Sequence, residues 1–359
     1  MNGFTEAIRI AEELSNAFGP SGFEDEVVRV IRRRTEALGR GEEDSLRNLY
    51  VYRKENSGNK PVLMLDAHTD EVGLIVQAVK PNGTLQFLQL GSWNKNALPG
   101  TKVLVRNAEG AYLNGIVAAK PVHFMSERER NSAVEISDLY IDVGASSRED
   151  ALQSFGLGIG EPAAPQVRFE YDEAHELMFG KAFDCRIGCA ALILTLQALA
   201  GRELPVDIVG VFSSQEEVGE RGVSVAVQRV KPDVALCFEG APADDTFSEP
   251  WRAQTVLGRG PMLRYMDRSV ICSPRYMRFA LSEAEKRGIA LQTAVREGGG
   301  NNGAVINLAN GGVPVIVAGV PVRYIHSPNC ITSARDLKST VELATCLCES
   351  LTREVLAGF

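Results

Sequence analysis

Short apolar runs alternate with helical segments over most of this chain, and that alternation restricts its possible folds more than any other feature of the sequence. Four runs have the length and apolar continuity of fully buried strands. They are residues 61–68, 206–214, 233–238 and 313–320. Helical patterns occupy residues 185–199, 224–230, 275–288 and 334–356. Because strands that alternate with helices form parallel sheets covered on both faces, we predict an α/β fold with a mixed, mostly parallel sheet sandwiched by helices.

Residues 72–165 interrupt this alternation. They contain short β-like segments such as LIVQAV, TKVLVR and LYIDVG, separated by Gly, Pro and Asn. Turn residues at about 8–12-residue spacing are typical of a small β-barrel or sandwich. The length of 359 residues also suits two domains. We therefore predict an α/β domain made of residues 1–71 and 166–359, with an inserted β-barrel domain over residues 72–165.

The N-terminal segment predicts two helices, over residues 5–18 and 24–38. The sequence Gly19-Pro20-Ser21-Gly22 separates them as a turn, and we expect Ser21 to cap the second helix.

Charge and composition exclude several classes of partner. The formal net charge is −8 and no dense Lys/Arg cluster is present, which argues against nucleic acid. No apolar run approaches the length of a membrane span, and the N-terminus lacks the features of a signal peptide. The seven cysteines have no zinc-ribbon spacing, so we expect buried thiols in a reducing compartment. We predict a cytoplasmic protein without membrane or nucleic-acid partners.

Polar side chains follow the predicted strands at the points where the strands end. His68 and His326 do so, as do the pair Glu216–Glu217 and Glu239, while Asp184 stands at the start of a helix. Since ligands bind at the carboxyl ends of strands in open α/β sheets, we expect these groups to converge at one edge.

The residue types at these positions suit metal-assisted hydrolysis. Asp70 lies two residues after His68 on the same side of an extended segment, so it can accept a hydrogen bond from the imidazole and make His68 a better ligand. Two adjacent carboxylates are costly without a positive partner, so a metal would neutralise one of them and leave the other as general base. An exposed acidic turn for the glutamates and helix capping by Asp184 stay as alternatives.

Five sequence blocks together carry a family resemblance. They are DAHTDEVG (66–73), GKAFDCRIG (180–188), SSQEEVGERG (213–222), FEGAPA (238–243) and RYIHSP (323–328). In order and spacing the chain resembles the tetrahedral and glutamyl aminopeptidases with their deblocking-aminopeptidase relatives, which are dinuclear metallopeptidases. GPSGFEDEV (19–27) and LPGTKV (98–103) look similar too. The resemblance runs from about residue 10 to residue 350.

The resemblance implies a role for each matched residue. His68, Asp184 and Glu239 would hold one divalent ion, and Asp184, Glu217 and His326 the other, so that Asp184 bridges the pair. Glu216 would be the general base and then the acid, and Asp70 would support His68. Zinc or cobalt would suit these ligands, with manganese as another possibility. The peptide bond after Asp184 would be cis.

The resemblance also implies a zinc-peptidase-like, phosphorylase/hydrolase-like fold. A PDZ-like insertion would serve oligomerisation, with dimers assembling to a dodecamer, and the substrates would be peptides that lose N-terminal residues. A related deacylase or carboxypeptidase is the first alternative, since Glu239 stands where the family often has Asp. A non-catalytic peptide-binding assembly protein is the second. Asn301 and Asn302, or the residues one position earlier, replace a common Thr-Asp, which we expect to affect recognition of the substrate amine.

His123 and His175 are left over from this set. We expect a structural role for His123 in the insertion, and a surface position for His175.

Overall fold

The structure is a computed structural model that describes residues 3–359, without the side chains of residues 3, 4 and 129. Its helices are α1 (Gly3–Asn16), α2 (Asp25–Thr35), α3 (Glu127–Asn131), α4 (Arg148–Gln153), α5 (Phe183–Ala198), α6 (Arg221–Val230), α7 (Pro274–Arg287), α8 (Gly303–Asn307), α9 (Ala334–Ser350) and α10 (Arg353–Leu356). Its strands are β1 (Gly39–Glu43), β2 (Leu49–Arg53), β3 (Val62–His68), β4 (Gly73–Val79), β5 (Leu85–Leu90), β6 (Lys102–Arg106), β7 (Tyr112–Ala118), β8 (Tyr140–Asp142), β9 (Pro162–Pro165), β10 (Glu170–Asp172), β11 (Leu177–Gly180), β12 (Asp207–Ser213), β13 (Val234–Pro242), β14 (Met262–Met266), β15 (Gln292–Val295), β16 (Val315–Arg323) and β17 (Cys330–Ser333).

A mixed sheet of eleven strands forms the centre of the molecule. Its main order is β1-β2-β12-β3-β13-β16-β17-β11-β10, and β14 with β15 extends from β16. The four central strands β12, β3, β13 and β16 run parallel, whereas the pairs toward both edges are antiparallel, apart from β14 with β15. The central strands consist almost entirely of buried residues. The predicted α/β fold with a mostly parallel central sheet is therefore confirmed.

Helices cover this sheet in two packed groups. Helix α5 contacts β3 and β13 and packs against α1 and α9. Helices α6 and α8 contact each other, with α6 on β12 and α8 on β13 and β16. Helix α5 is buried along nearly its whole length because other helices cover the side that turns away from the sheet.

The predicted small β-barrel is present. Strands β4-β5-β8-β7-β6-β9 close on themselves in that order. The barrel has its own apolar core, which includes Leu74, Phe87, Val105 and Ile141. The domain limits at residues 72 and 165, the PDZ-like character and the role in oligomerisation stay predictions.

Three local features differ from the sequence expectations. The second helix begins at Asp25 after Glu24, and no side chain caps it, so the expected cap by Ser21 is wrong. The closing helix breaks after Ser350, because the Thr352 side chain caps a separate helix. The antiparallel strands at the sheet edges were not predicted. Strand β1, with the sequence GRGEE, shows why: it carries no apolar side chain and forms only by pairing with β2.

Candidate metal centre

The four parallel strands deliver their polar side chains to one edge of the sheet, as expected. His68 is the last residue of β3 and lies beside Ser213, the last residue of β12. Glu239 lies in β13 opposite Gly319 of β16. His326 follows the end of β16, and the two glutamates follow β12. Strand register therefore sets the position of most of these side chains along the strand direction.

Asp184 enters the cluster from the start of α5. The residue before this helix, Ala182, has a left-handed backbone with φ of 56°, and the Asp184–Cys185 peptide bond is cis, as the resemblance implied. Gly240 permits the close approach of α5 to β13, since a Cβ at this position would lie 2.8 Å from the Asp184 Cα.

The two carboxylate oxygens of Asp184 face two different histidines. Oδ1 lies 3.2 Å from Nε2 of His68, and Oδ2 lies 3.2 Å from Nε2 of His326. Each histidine has a further carboxylate at its side. Nε2 of His68 is 3.7 Å from Glu239 Oε2, and Nε2 of His326 is 3.3 Å from Glu217 Oε1. The structure thus brings together both expected donor sets, joined through Asp184.

These donors fit divalent metal ions. Oε1 of Glu239 is buried and has no hydrogen-bond partner among the described residues. Imidazole nitrogens and carboxylate oxygens suit zinc, cobalt and manganese. Cys185 also lies within reach of the His68 set, but burial raises the pKa of its thiol and its Sγ donates to the Phe238 carbonyl oxygen. We therefore keep Cys185 out of the donor set.

The electrostatics of the cluster also favour cations. Burial raises the pKa of Glu216 and of Glu239 well above the usual range, since an ionised carboxylate loses its hydration there. Burial opposes a charge on His326, yet Asp184 and Glu217 raise its pKa to about 11. Without metal the cluster thus retains protons, which divalent ions would displace.

Asp70 contacts more of the site than the sequence indicated. Its Oδ1 lies 3.3 Å from Nδ1 of His68, next to the ligand that it was expected to support. The same oxygen accepts the backbone N–H of Glu216 at 2.9 Å. Oδ2 accepts the N–H of Glu217 at 3.1 Å and the hydroxyl of Ser21 at 2.6 Å. Asp70 therefore holds the backbone of both glutamates, a contact that spacing along the sequence does not reveal.

Glu216 stands beside the donors at the wall of a large cavity. Its side chain is 12% exposed and its Oε2 lies 3.8 Å from Nε2 of His68. The cavity has a volume of about 810 Å³, and Arg264 and Arg296 line it on the side of Gly298–Gly300. Sequence reasoning missed both arginines, because nothing local distinguishes them from other arginines of the chain.

Four other polar residues lie outside this cavity. Asn302 is buried and donates to Asp66 and to Ser213, while Asn301 donates to Asp267. Neither asparagine lines the cavity, and their effect on recognition of the substrate amine stays a prediction. His123 lies in an exposed turn, and His175 is exposed and 2.6 Å from Asp172.

The fold and this site together define a peptidase built on an α/β sheet. The sequence profile described as M42 glutamyl aminopeptidase matches residues 48–343. The chain belongs to this family. It is 32% identical over 339 residues to the glutamyl aminopeptidase of Lactococcus lactis subsp. cremoris, with 94% of each chain covered.

Solved structures agree with this assignment. The TET aminopeptidase of the marine sediment archaeon Thaumarchaeota archaeon SCGC AB-539-E09 superposes with a TM-score of 0.94 at 35% identity, over 98% of this chain and 99% of that one. The TET1 peptidase of Pyrococcus horikoshii, which can assemble into a tetrahedron or a large octahedral shell, gives 0.86 at 29% identity, over 96% and 100%. Among residues 3–359, no helix combines the length and apolar character needed to cross a bilayer.

Proposed function

We propose that the chain is a dinuclear metal-dependent aminopeptidase that removes N-terminal residues from peptides. The observation that carries this proposal is the position of Asp184, whose two oxygens face His68 and His326 at 3.2 Å each. A carboxylate shared in this way suits two neighbouring cations. His68, Asp184 and Glu239 would hold one ion, and Asp184, Glu217 and His326 the other.

The side chains around the ions divide the chemistry between them. Two bound divalent ions would supply an activated water and polarise the scissile carbonyl. Glu216 removes the proton of that water and passes it to the leaving amine. Asp70 orients His68 and holds the backbone of Glu216. The surrounding carboxylates attract the free α-ammonium group of a peptide, which favours cleavage at the N-terminus.

The cavity wall favours acidic N-terminal residues. The Arg264 side chain is 5% exposed and pairs with Asp267 through Nη1, but its Nε–H has no partner among the described residues. Glu220 also lines the cavity, and burial together with the charge of Asp267 raises the pKa of its carboxyl. A side-chain carboxylate entering here would meet the guanidinium groups of Arg264 and Arg296.

Replacement of the general base tests the function directly. We expect Glu216→Gln to lower kcat on Glu-, Leu- and Lys-p-nitroanilides by about 100- to 10,000-fold, because no base then accepts the proton. Bound metal, measured by elemental analysis, should stay at the wild-type level. Glu203→Gln, which changes an exposed carboxylate that does not line the cavity, is the control and should keep its activity. Unchanged turnover in Glu216→Gln would show that the base is assigned wrongly.

The two alternatives predict different results in the same assays. A deacylase or carboxypeptidase on these ligands would cleave N-acyl amino acids or C-terminally free peptides and leave the p-nitroanilides intact. A non-catalytic peptide-binding protein would bind peptides without any turnover. The presence of all five expected ligands and of the base favours an enzyme.

We also propose that the chain forms a homo-oligomer, up to a dodecamer. The shells formed by the Pyrococcus horikoshii relative support this proposal. Val122, Phe124 and Ile116 of the barrel segment are exposed apolar side chains that suit subunit contacts. Light scattering of the purified protein would distinguish a dodecamer from a dimer or monomer. Location in the cytosol and the identity of the ions stay predictions.

A further inference from the structure

The segment Gly19–Glu24 belongs to a sequence block that the proposed chemistry does not use. We call this segment the supporting turn, and we call Gln215–Glu217, which carries the general base, the catalytic turn. The two are separated by about 190 positions in the sequence, yet Oε1 of Glu24 accepts the backbone N–H of Gln215 at 3.1 Å. This hydrogen bond joins the supporting turn to the catalytic turn.

The catalytic turn is not held by regular secondary structure. Gln215 has a left-handed backbone with φ of 54°. In the part of the chain that the structure describes, no backbone carbonyl accepts the N–H groups of Gln215, Glu216 or Glu217. Two buried carboxylates accept all three instead. Glu24 accepts the first N–H, and Asp70 accepts the second and the third.

Glu24 is built into the molecule for this contact. It is 0% exposed, and its Oε1 also accepts the N–H of Gly22 at 2.8 Å, which orients the carboxylate toward the catalytic turn. Its second oxygen, Oε2, has no partner among the described residues. Since an unpaired buried carboxylate oxygen is costly, Glu24 would be a poor choice for packing alone.

The supporting turn is itself fixed to the strand end that carries the metal ligands. Ser21 donates its hydroxyl to Asp70, and Gly19 exchanges hydrogen bonds with Glu71. The side chain of Glu71 pairs with Lys181, and Arg186 donates to the Gly19 carbonyl oxygen. These hydrogen bonds therefore fix the supporting turn to the segment around His68.

We infer that Glu24 is a positioning residue for the general base: together with Asp70 it holds the catalytic turn so that the Glu216 carboxylate faces the reacting water. This inference rests on the proposed function. It assigns Glu24 no contact with substrate or metal, and Glu217, the one proposed metal ligand in the catalytic turn, keeps its own hydrogen bond to Asp70. Removal of Glu24 should therefore affect the chemical step and leave substrate binding and metal content unchanged.

A pair of substitutions of similar size tests the inference. Glu24→Gln keeps an oxygen that can accept the Gln215 N–H, whereas Glu24→Met fills the space without an acceptor. We expect Glu24→Met to lower kcat by about 100-fold through displacement of the base, with KM changed by less than about threefold. Glu24→Gln should stay within about threefold of wild type in kcat. Glu26→Met, in the helix that follows the supporting turn and hydrogen-bonded to Phe18 and Tyr112, is the control and should keep kcat.

The outcomes separate this inference from the proposed function. Wild-type protein without peptidase activity would contradict the proposed function and, with it, this inference. Active wild-type protein with an unchanged kcat in Glu24→Met overturns the inference, as does an equal loss in the Gln and Met variants, or a loss that appears as raised KM or missing metal. If Glu24→Met does not fold, Glu24→Asp replaces it. Its acceptor is withdrawn by one methylene, so a kcat clearly below that of Glu24→Gln supports the inference and an equal kcat overturns it.

Discussion

Removal of the metal ions should destabilise the folded chain strongly. The proposed ligands come from separate segments around His68, Asp184, Glu217, Glu239 and His326, and only the folded chain brings them within a few ångströms of one another. Ions that bind the folded chain and not the unfolded chain stabilise it by mass action. A chelator that empties the site removes that stabilisation in full.

The magnitude follows from the number of sites and the length of the chain. An ion present at 1,000 times its Kd contributes about 4 kcal/mol, so two ions contribute about 8 kcal/mol. The entropy of unfolding is about 2.1 cal/mol/K per residue, which for 359 residues gives about 0.75 kcal/mol/K. The quotient predicts that Tm falls by about 11 °C on removal of both ions, and by about half of that on removal of one.

The fall in Tm on removal of the metal ions should become larger as the pH rises. Burial raises the pKa values of Glu216, Glu217 and Glu239, and the neighbouring carboxylates raise that of His326 to about 11. A raised pKa in the folded state contributes stability that is complete below the unfolded pKa and is lost as the pH rises through the folded value. The metal-free protein therefore loses stability between pH 6 and 8.5. The lowered pKa of Asp184 has the opposite sign, but it acts only below about pH 4.

Scanning calorimetry at constant protein concentration measures this effect. Samples dialysed against a chelator are compared with samples to which zinc or cobalt is returned, at pH 6.0 and at pH 8.5. We expect a larger difference in Tm between the two samples at pH 8.5, because metal affinity also rises when protons no longer compete for the ligands. Glu217→Gln removes a ligand from one donor set and should show about half of this difference in Tm. A Tm that does not change with the chelator, or a Tm difference that becomes smaller as the pH rises, would refute the reasoning.

Three further predictions concern single side chains. Asp70→Asn places an amide nitrogen or a weaker acceptor against the N–H groups of Glu216 and Glu217 and beside Nδ1 of His68. We expect kcat on Glu-p-nitroanilide to fall by about 100-fold, measured with metal in excess so that weaker binding at His68 does not limit turnover. Arg264→Met should lower the ratio of kcat/KM for Glu-p-nitroanilide to that for Leu-p-nitroanilide by about tenfold. The reason is the loss of a charge-assisted contact with the substrate carboxylate, worth about 1.4 kcal/mol. An unchanged ratio excludes Arg264 from substrate selection. Burial and the nearby Asp70 raise the pKa of Glu24 to about 7, so the contribution of Glu24 to stability is complete below about pH 4.5 and is lost as the pH rises through about 7. Between pH 5 and pH 8 the free energy of unfolding of Glu24→Gln, measured in urea, should therefore rise by up to about 3 kcal/mol relative to that of the wild type. Parallel pH profiles of the two proteins would contradict this.

The sequence predicts the centre of the fold better than its edges, for a physical reason. The central strands are buried on both faces, so they appear as continuous apolar runs whatever their neighbours are. The edge strand β1 has no such signature, because its pairing with β2 is set by the three-dimensional arrangement. The same division holds for the site. Ligands at strand ends, such as His68 and His326, can be located from the sequence, whereas Arg264 reaches the cavity from a strand that carries no marker of function.

Two different devices position the site, and they should respond differently to substitution. Strand register sets the metal ligands on the sheet, with His68 beside Ser213 and Glu239 opposite Gly319. No register sets the catalytic turn, which depends on the hydrogen bonds accepted by Asp70 and Glu24. Substitution of a ligand should therefore change the metal content first and turnover as a consequence. Substitution of Glu24 should change turnover while the metals stay bound, because Glu24 contacts none of the ligands and Glu217 keeps its own hydrogen bond to Asp70. A Glu24 variant that released the metals would mean that both devices form a single unit.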